Sequence, residues 1–289
     1  MAATLIDGNA LAATIRDRVK SDAADLRARG RAVSLVAILI GDDAAAASYA
    51  RSQAKLAEGV GIEYRLIQLP TQTMMPAAID TIERLNHDPG VSGIMLHMPV
   101  PTGLDGFALQ QHIDRRKDVE GVCAANLGLL AMGRDALAPC TAAAAFACLH
   151  STGVEIRGKS AVVIGRSVIV GKPLAMLLVS AHATVTQCHT QTRDLASQAR
   201  GAEILIVAAG RAGLIGAEHV APGAIVIDVG THRVSMRQAD GSDKMTTVGD
   251  VRFAEVAPIA SYISPVPGGV GPVTVAMLLS NTVAAARGV

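Results

Sequence analysis

Tyr49 and Gln53 stand four residues apart in SYARSQAK (48–55), the spacing that stacks two side chains on one face of a helix. A phenol and a primary amide placed this way can hydrogen-bond a polar ligand or each other. They would serve equally as the polar side of an amphipathic helix, and spacing alone leaves both readings open. Lys55 lies two residues beyond Gln53, about 200° further round, and so faces elsewhere.

A second group of reactive types sits in GRSVIVG (165–171). Strand, turn, helix and strand follow one another in SAVVIGRSVIVGKPLAMLLVSAHATVTQCHTQT, the order that a dinucleotide site requires. Gly165 and Gly171 at the ends of the turn permit a tight exit from the strand and close packing at the helix start, where free N–H groups favour phosphate. The spacing is not GxGxxG, and an ordinary strand-to-helix loop would look similar. After the second strand, CHTQTRD places Cys188, His189 and Thr190 where an NAD site carries a carboxylate for the ribose hydroxyl. Nothing there repels a 2′-phosphate and Arg166 is available to attract one, so NADP is expected over NAD. Asp194 comes a turn too late to take the carboxylate's place.

The elements that must hold these groups read as α/β. Apolar runs at VSLVAILIG (33–41), IEYRLIQL (62–69) and VSGIMLHM (91–98) alternate with helical stretches, and a second series follows in SAVVIG, ATVTQCH, AEILIVAAG and GAIVIDVG. This is the rhythm of parallel sheets with crossover helices. Hydrophobic residues make up 50% of the 289 while aromatics make up 2%, so the core must be built from Ala, Val, Ile and Leu. A helix over PCTAAAAFACLHSTG (139–153) joins the two series, which places a boundary near residue 140. The expected domains are 1–140, with a final helix at 272–289 able to return to it, and 141–271.

A net charge of +1 with no Trp offers neither the basic field nor the stacking platform that nucleic acid needs. Cys123, Cys140, Cys148 and Cys188 lack the paired spacing of a zinc site, so no metal is expected and reduced thiols of a cytoplasmic protein are the simpler reading. The opening residues lack the pattern of a secretory signal, and apolar runs of about ten residues fall short of the roughly 20 that span a bilayer.

YISPVPGGVGPVTVAMLLSNT (262–282), with GRSVIVGKP, VIDVG, VGDV and PCT, closely resembles the bifunctional methylenetetrahydrofolate dehydrogenase/cyclohydrolase family. The match runs from LIDG at the start to the last helix. The resemblance implies a Rossmann-like second domain, a last helix packed on the first, and a homodimer. It also implies an enzyme that oxidises 5,10-methylenetetrahydrofolate with NADP+, with folate bound in a cleft between the domains. Gly165, Arg166, Ser167, Gly171, Thr190 and Thr231 fall at cofactor positions. Tyr49, Glu120, Pro267, Gly268, Gly269 and Gly271 fall at substrate positions.

Against that pattern, three residues at the chemical centre differ. Where the family carries lysine four residues after the tyrosine, this chain has Gln53; QLPLP reads HMPVP, putting His97 in place of glutamine; KDVDG reads KDVEG, putting Glu120 in place of aspartate. Hydride transfer needs alignment and little acid-base help, whereas hydrolysis of the methenyl cation needs a proton taken from water. Gln53 cannot take that proton. The expectation is therefore a dehydrogenase with cyclohydrolase activity reduced or absent. Two other readings are a bifunctional enzyme using His97 as base and a non-catalytic sensor of NADP or folate.

Overall fold

Apolar runs that are too short to be helices condense into parallel sheets. In the computed structural model, which describes residues 2–237 and 243–288, the chain clusters into two units: Ala13–Cys140 with Val275–Val289, and Met1–Ala12 with Thr141–Thr274. From the N-terminus the elements are β1 (Thr4–Leu5), α1 (Gly8–Ala28), β2 (Ser34–Ile40), α2 (Ala44–Gly59), β3 (Glu63–Leu69), α3 (Met75–His87), β4 (Gly93–Leu96), α4 (Gly106–Gln111) and α5 (Ala124–Ala131).

The sheet of the first unit has the order β3-β2-β4, all parallel. All seven residues of β2 are buried, as an apolar strand covered on both faces should be. Burying each of Leu35, Ile38 and Leu39 is worth about 1.5–3 kcal/mol, which makes this strand the anchor of the unit. In α3 the buried positions Ala78, Thr81, Ile82 and Leu85 repeat at helical spacing and pack on the sheet. Lys117 Nζ donates to the carbonyls of Leu85 and Asp88 at 2.9 and 2.7 Å and so caps the end of α3. Beside β4 the chain runs parallel once more, with Ile94 N–H donating to the Lys117 carbonyl (2.7 Å) and a bridge from Ile94 to Asp118.

The remaining elements are α6 (Cys140–His150), β5 (Ser160–Ile164), α7 (Gly171–Ser180), β6 (Thr184–Cys188), α8 (Leu195–Arg200), β7 (Ile204–Val207), β8 (Ile225–Asp228), β9 (His232–Arg237), β10 (Asp243–Val248), α9 (Phe253–Val256), β11 (Tyr262–Ile263) and α10 (Val270–Arg287). A six-stranded sheet of order β1-β11-β8-β7-β5-β6 is parallel throughout. β6 lies on one side of β5 and β7 on the other, the doubly wound arrangement of a Rossmann-like domain.

The first dozen residues cluster with this second unit and not with residues 13–140. The reason is a ladder that no local pattern announces: Thr4 N–H donates to Ser261 O (2.8 Å) and Ile6 N–H to Ile263 O (2.9 Å). The antiparallel hairpin β9–β10 was likewise outside the sequence reading. In α10, Leu278, Leu279 and Val283 enter a core cluster with Val19, Leu26 and Leu35 of the first unit.

Candidate active site

In the first unit, Tyr49, Gln53, His97 and Glu120 come together at the carboxyl end of the sheet, where ligands of parallel sheets bind. Gln53 faces inward at 3% exposure, whereas Lys55 is exposed. Gln53 bonds the Tyr49 hydroxyl, and among the described residues its Oε1 has no partner, so the amide nitrogen is the donor. The Tyr49 oxygen thus receives a hydrogen bond, and its own proton remains free to donate. Burial still raises the phenol above its usual range.

His97 follows β4 directly, and its N–H gives the last ladder bond to Ile38 O at 2.8 Å. The ring meets Tyr49 edge-on, with centroids 6.2 Å apart and planes at 83°. It is 5% exposed, its Nε2 has no partner among the described residues, and burial holds the imidazole below its ordinary pKa, hence neutral near pH 7. Two orphaned polar atoms, Gln53 Oε1 and His97 Nε2, therefore stand in one buried cluster. Unpaired buried polar atoms are costly, and a ligand that pairs with them recovers that cost.

Glu120 is presented by a turn that Asp118 builds. Asp118 Oδ2 accepts from Cys123 N–H (2.8 Å) and from Asn126 Nδ2 (3.1 Å), and Gly121 takes the left-handed φ of +68° that the turn needs. Glu120 Oε2 in turn accepts from Leu96 N–H at 3.3 Å. Burial, with Asp118 nearby, pushes the Glu120 carboxyl up to about 7, against the pull of the Leu96 bond.

A carboxyl whose pKa is raised in the folded state stabilises the fold below its ordinary value of 4.5, and that stability is lost as pH climbs through about 7. Glu120→Gln stays neutral and should be more stable than the wild type at pH 8, by up to about 3 kcal/mol, and so melt higher there, while melting at a similar temperature below pH 4.5. Thermal melts at both pH values check this, and a shift of the same size at each would refute it.

Sequence reasoning missed what lies behind Glu120. Asn281 of α10 donates to the carbonyls of Val119 and Ala138 at 2.9 and 3.0 Å and approaches the Cys140 sulfur at 3.6 Å. The Cys140 thiol donates to Val119 O (3.3 Å), and burial together with Glu120 and Asp118 raises its pKa, so it is no reactive thiolate. These contacts join positions far apart in the chain, and no local spacing reveals them.

In the second unit, the β5 turn is shaped by sterics. Gly165 has φ of +128°, and a Cβ there would overlap the carbonyl of Ala208; one on Gly171 would overlap the carbonyl of Gly165. Ser167 Oγ accepts from the N–H groups of Val170 (3.1 Å) and Gly171 (3.3 Å). Part of the helix start that was expected to face phosphate is thus bound by the chain's own serine, while Arg166, Ser167 and Thr190 are exposed. A separate cavity of about 370 Å³ collects Thr231 with Pro267, Gly268, Gly269 and Gly271. The glycines there are partly explained by the chain itself: Gly8 N–H donates to Gly268 O at 2.9 Å, and a Cβ on Gly8 would overlap the Gly269 carbonyl.

Residues 6–120 match the model of the tetrahydrofolate dehydrogenase/cyclohydrolase catalytic domain, and residues 139–288 match that of the same family's NAD(P)-binding domain. The chain belongs to the tetrahydrofolate dehydrogenase/cyclohydrolase family. Among its relatives, bifunctional protein FolD 1 of Rubrobacter xylanophilus is 47% identical over 285 residues, 99% of this chain and 98% of its own length. Bifunctional protein FolD of Halalkalibacterium halodurans is 45% identical over 287 residues, 99% of this chain and all of its own. The crystal structure of the bifunctional FolD from Campylobacter jejuni aligns with a TM-score of 0.91 at 40% identity, covering 99% of both chains. The family enzyme of Trypanosoma brucei, solved with NADP cofactor and an inhibitor, aligns at 0.90 with 37% identity over 99% of this chain and 98% of its own. The family's two domain models thus fall on the two halves of the sequence in which the clusters lie.

Proposed function

We propose that the protein oxidises 5,10-methylenetetrahydrofolate to 5,10-methenyltetrahydrofolate with NADP+, and that hydrolysis of the product to 10-formyltetrahydrofolate is reduced or absent. The observation that carries this reading is Gln53, a buried amide bonded to Tyr49 where the family pattern puts a lysine. An amide orients and donates but cannot move a proton. Oxidation asks for little more, because the folate nitrogen's lone pair expels the hydride. Tyr49 donates to the ligand, Glu120 accepts from the pterin's N–H groups, and Gln53 keeps the Tyr49 hydroxyl aimed.

The second unit's turn fits the cofactor. Gly165 and Gly171 let the turn close tightly on the chain's own carbonyls, Arg166 and Thr190 stand exposed and offer charge and hydroxyl to a 2′-phosphate, and Ser167 fixes the turn. When bound there, NADP+ supplies the hydride acceptor. Thr231 belongs to the same set, and Pro267, Gly268, Gly269 and Gly271 border the substrate. The family resemblance adds a homodimer working in the cytoplasm on tetrahydrofolate one-carbon derivatives.

One observation favours a second reading, with hydrolysis retained: burial holds His97 neutral, and its Nε2 has no partner among the described residues, which leaves the ring open to water. A two-wavelength assay decides between them. NADPH formation from methylenetetrahydrofolate, without decay of added methenyltetrahydrofolate above its spontaneous rate, is the expected result. Decay that His97→Gln abolishes while sparing NADPH formation would establish the second reading, and absence of both signals would overturn both.

A further inference from the structure

In a parallel sheet wound in this order the ligand crevice opens where the strand order reverses, between β5 and β7. One wall is the turn Gly165–Gly171, and the other is the loop at 208–211. The N–H groups of Ala209, Gly210 and Arg211 all donate to the carboxylate of Asp250, at 2.6 and 3.0 Å on Oδ2 and 2.9 Å on Oδ1. Successive N–H groups that converge on one point form an anion nest. Here the protein's own carboxylate fills it, so these amides shape the wall and do not hold phosphate.

Asp250 is fully buried, and among the described residues its one ion-pair partner is His232, whose Nε2 lies 2.6 Å from Oδ1. A carboxylate only accepts, so Nε2 carries the proton. Behind this pair, the Asp228 carboxylate binds the N–H groups of Gly230 (2.9 Å), Asp250 (3.0 Å) and Val251 (2.9 Å), and Asp228 N–H donates to Ser264 Oγ at 2.7 Å. The chain of bonds runs from the end of β8, through Asp250, to the loop after β7. His232 opens β9 directly after Thr231, which lines the 370 Å³ cavity. Through Asp250 it ties that cavity's wall to the 209–211 loop.

We infer that His232 and Asp250 are positioning residues for the dinucleotide: the bond between them sets where the 209–211 loop stands across the crevice from Gly165. Cofactor affinity then depends on a hydrogen bond whose two partners act through the loop. The inference rests on the cofactor assignment above. NADPH fluorescence, read in a chain without tryptophan, separates the two claims. Wild type that fails to bind NADPH overturns the assignment and the inference with it.

Where wild type binds, His232→Leu should weaken NADPH binding by about tenfold or more, the range for a bond to a charged group. The KM for NADP+ should rise by more than the KM for methylenetetrahydrofolate. His232→Gln, which keeps a donor at similar reach, should restore most of the affinity. Unchanged binding in H232L, an equal loss in H232Q, or an equal rise in both KM values would overturn the inference. If H232L does not fold, H232Q carries the test alone, with wild-type affinity supporting the inference and a large loss overturning it.

Discussion

Replacing Gln53 with lysine should raise methenyltetrahydrofolate hydrolysis by roughly 10²- to 10⁴-fold, the usual worth of a positioned general acid-base group. The surroundings are ready for it. A lysine at this site would be desolvated, since Gln53 is 3% exposed, and burial lowers an ammonium's pKa toward the range where it can exchange protons near neutrality. Its N–H groups would find the Tyr49 oxygen, which already accepts from Gln53. NADPH formation should change little, because the hydride step does not use this proton. The check is the decay of methenyltetrahydrofolate by wild type and Q53K at one pH. Equal decay rates would mean that the lysine position does not limit hydrolysis, and the proposed division of activities would fail.

Gly165→Ala should abolish cofactor binding and lower the thermal midpoint by roughly 4–24 °C. Its φ of +128° strains any side chain, and the added carbon would overlap the Ala208 carbonyl, which cannot swing aside because Ala208 N–H is bonded to Ile164 O at 2.7 Å. Strain and overpacking each cost about 1–3 kcal/mol, and in a protein of this size each kcal/mol moves the midpoint by about 2–4 °C. Gly128 in α5 is the control: among the described residues nothing lies within 4 Å of a Cβ there, and alanine suits a helix, so Gly128→Ala should be neutral or slightly stabilising. Similar losses in the two variants would show that the steric argument is wrong.

The long central strands were legible because β2, β5, β7 and β8 are buried on both faces and therefore read as unbroken apolar runs. The two-residue strands β1 and β11 carry no period, and the β9–β10 hairpin is too polar to stand out, so none of them was read. At the site, Tyr49 and Gln53 were readable because a helix brings i and i+4 together. His97 and Glu120 were reached through motif resemblance alone, since a lone histidine after a strand has no local signature.

By itself, then, the sequence determined the long apolar strands and the helices between them, the glycine turn after β5, and the amide at the lysine position, because each of these is set within a few residues. Tertiary structure alone decided that Glu120 is pushed up to about 7, that His97 and Gln53 each keep a buried atom unpaired among the described residues, that Asn281 braces the turn behind Glu120, and that Asp250 gathers three amides and a histidine. Burial and hydrogen bonding depend on which distant segments arrive beside a residue, and that is set by the packing of the whole chain, not by its neighbours in sequence.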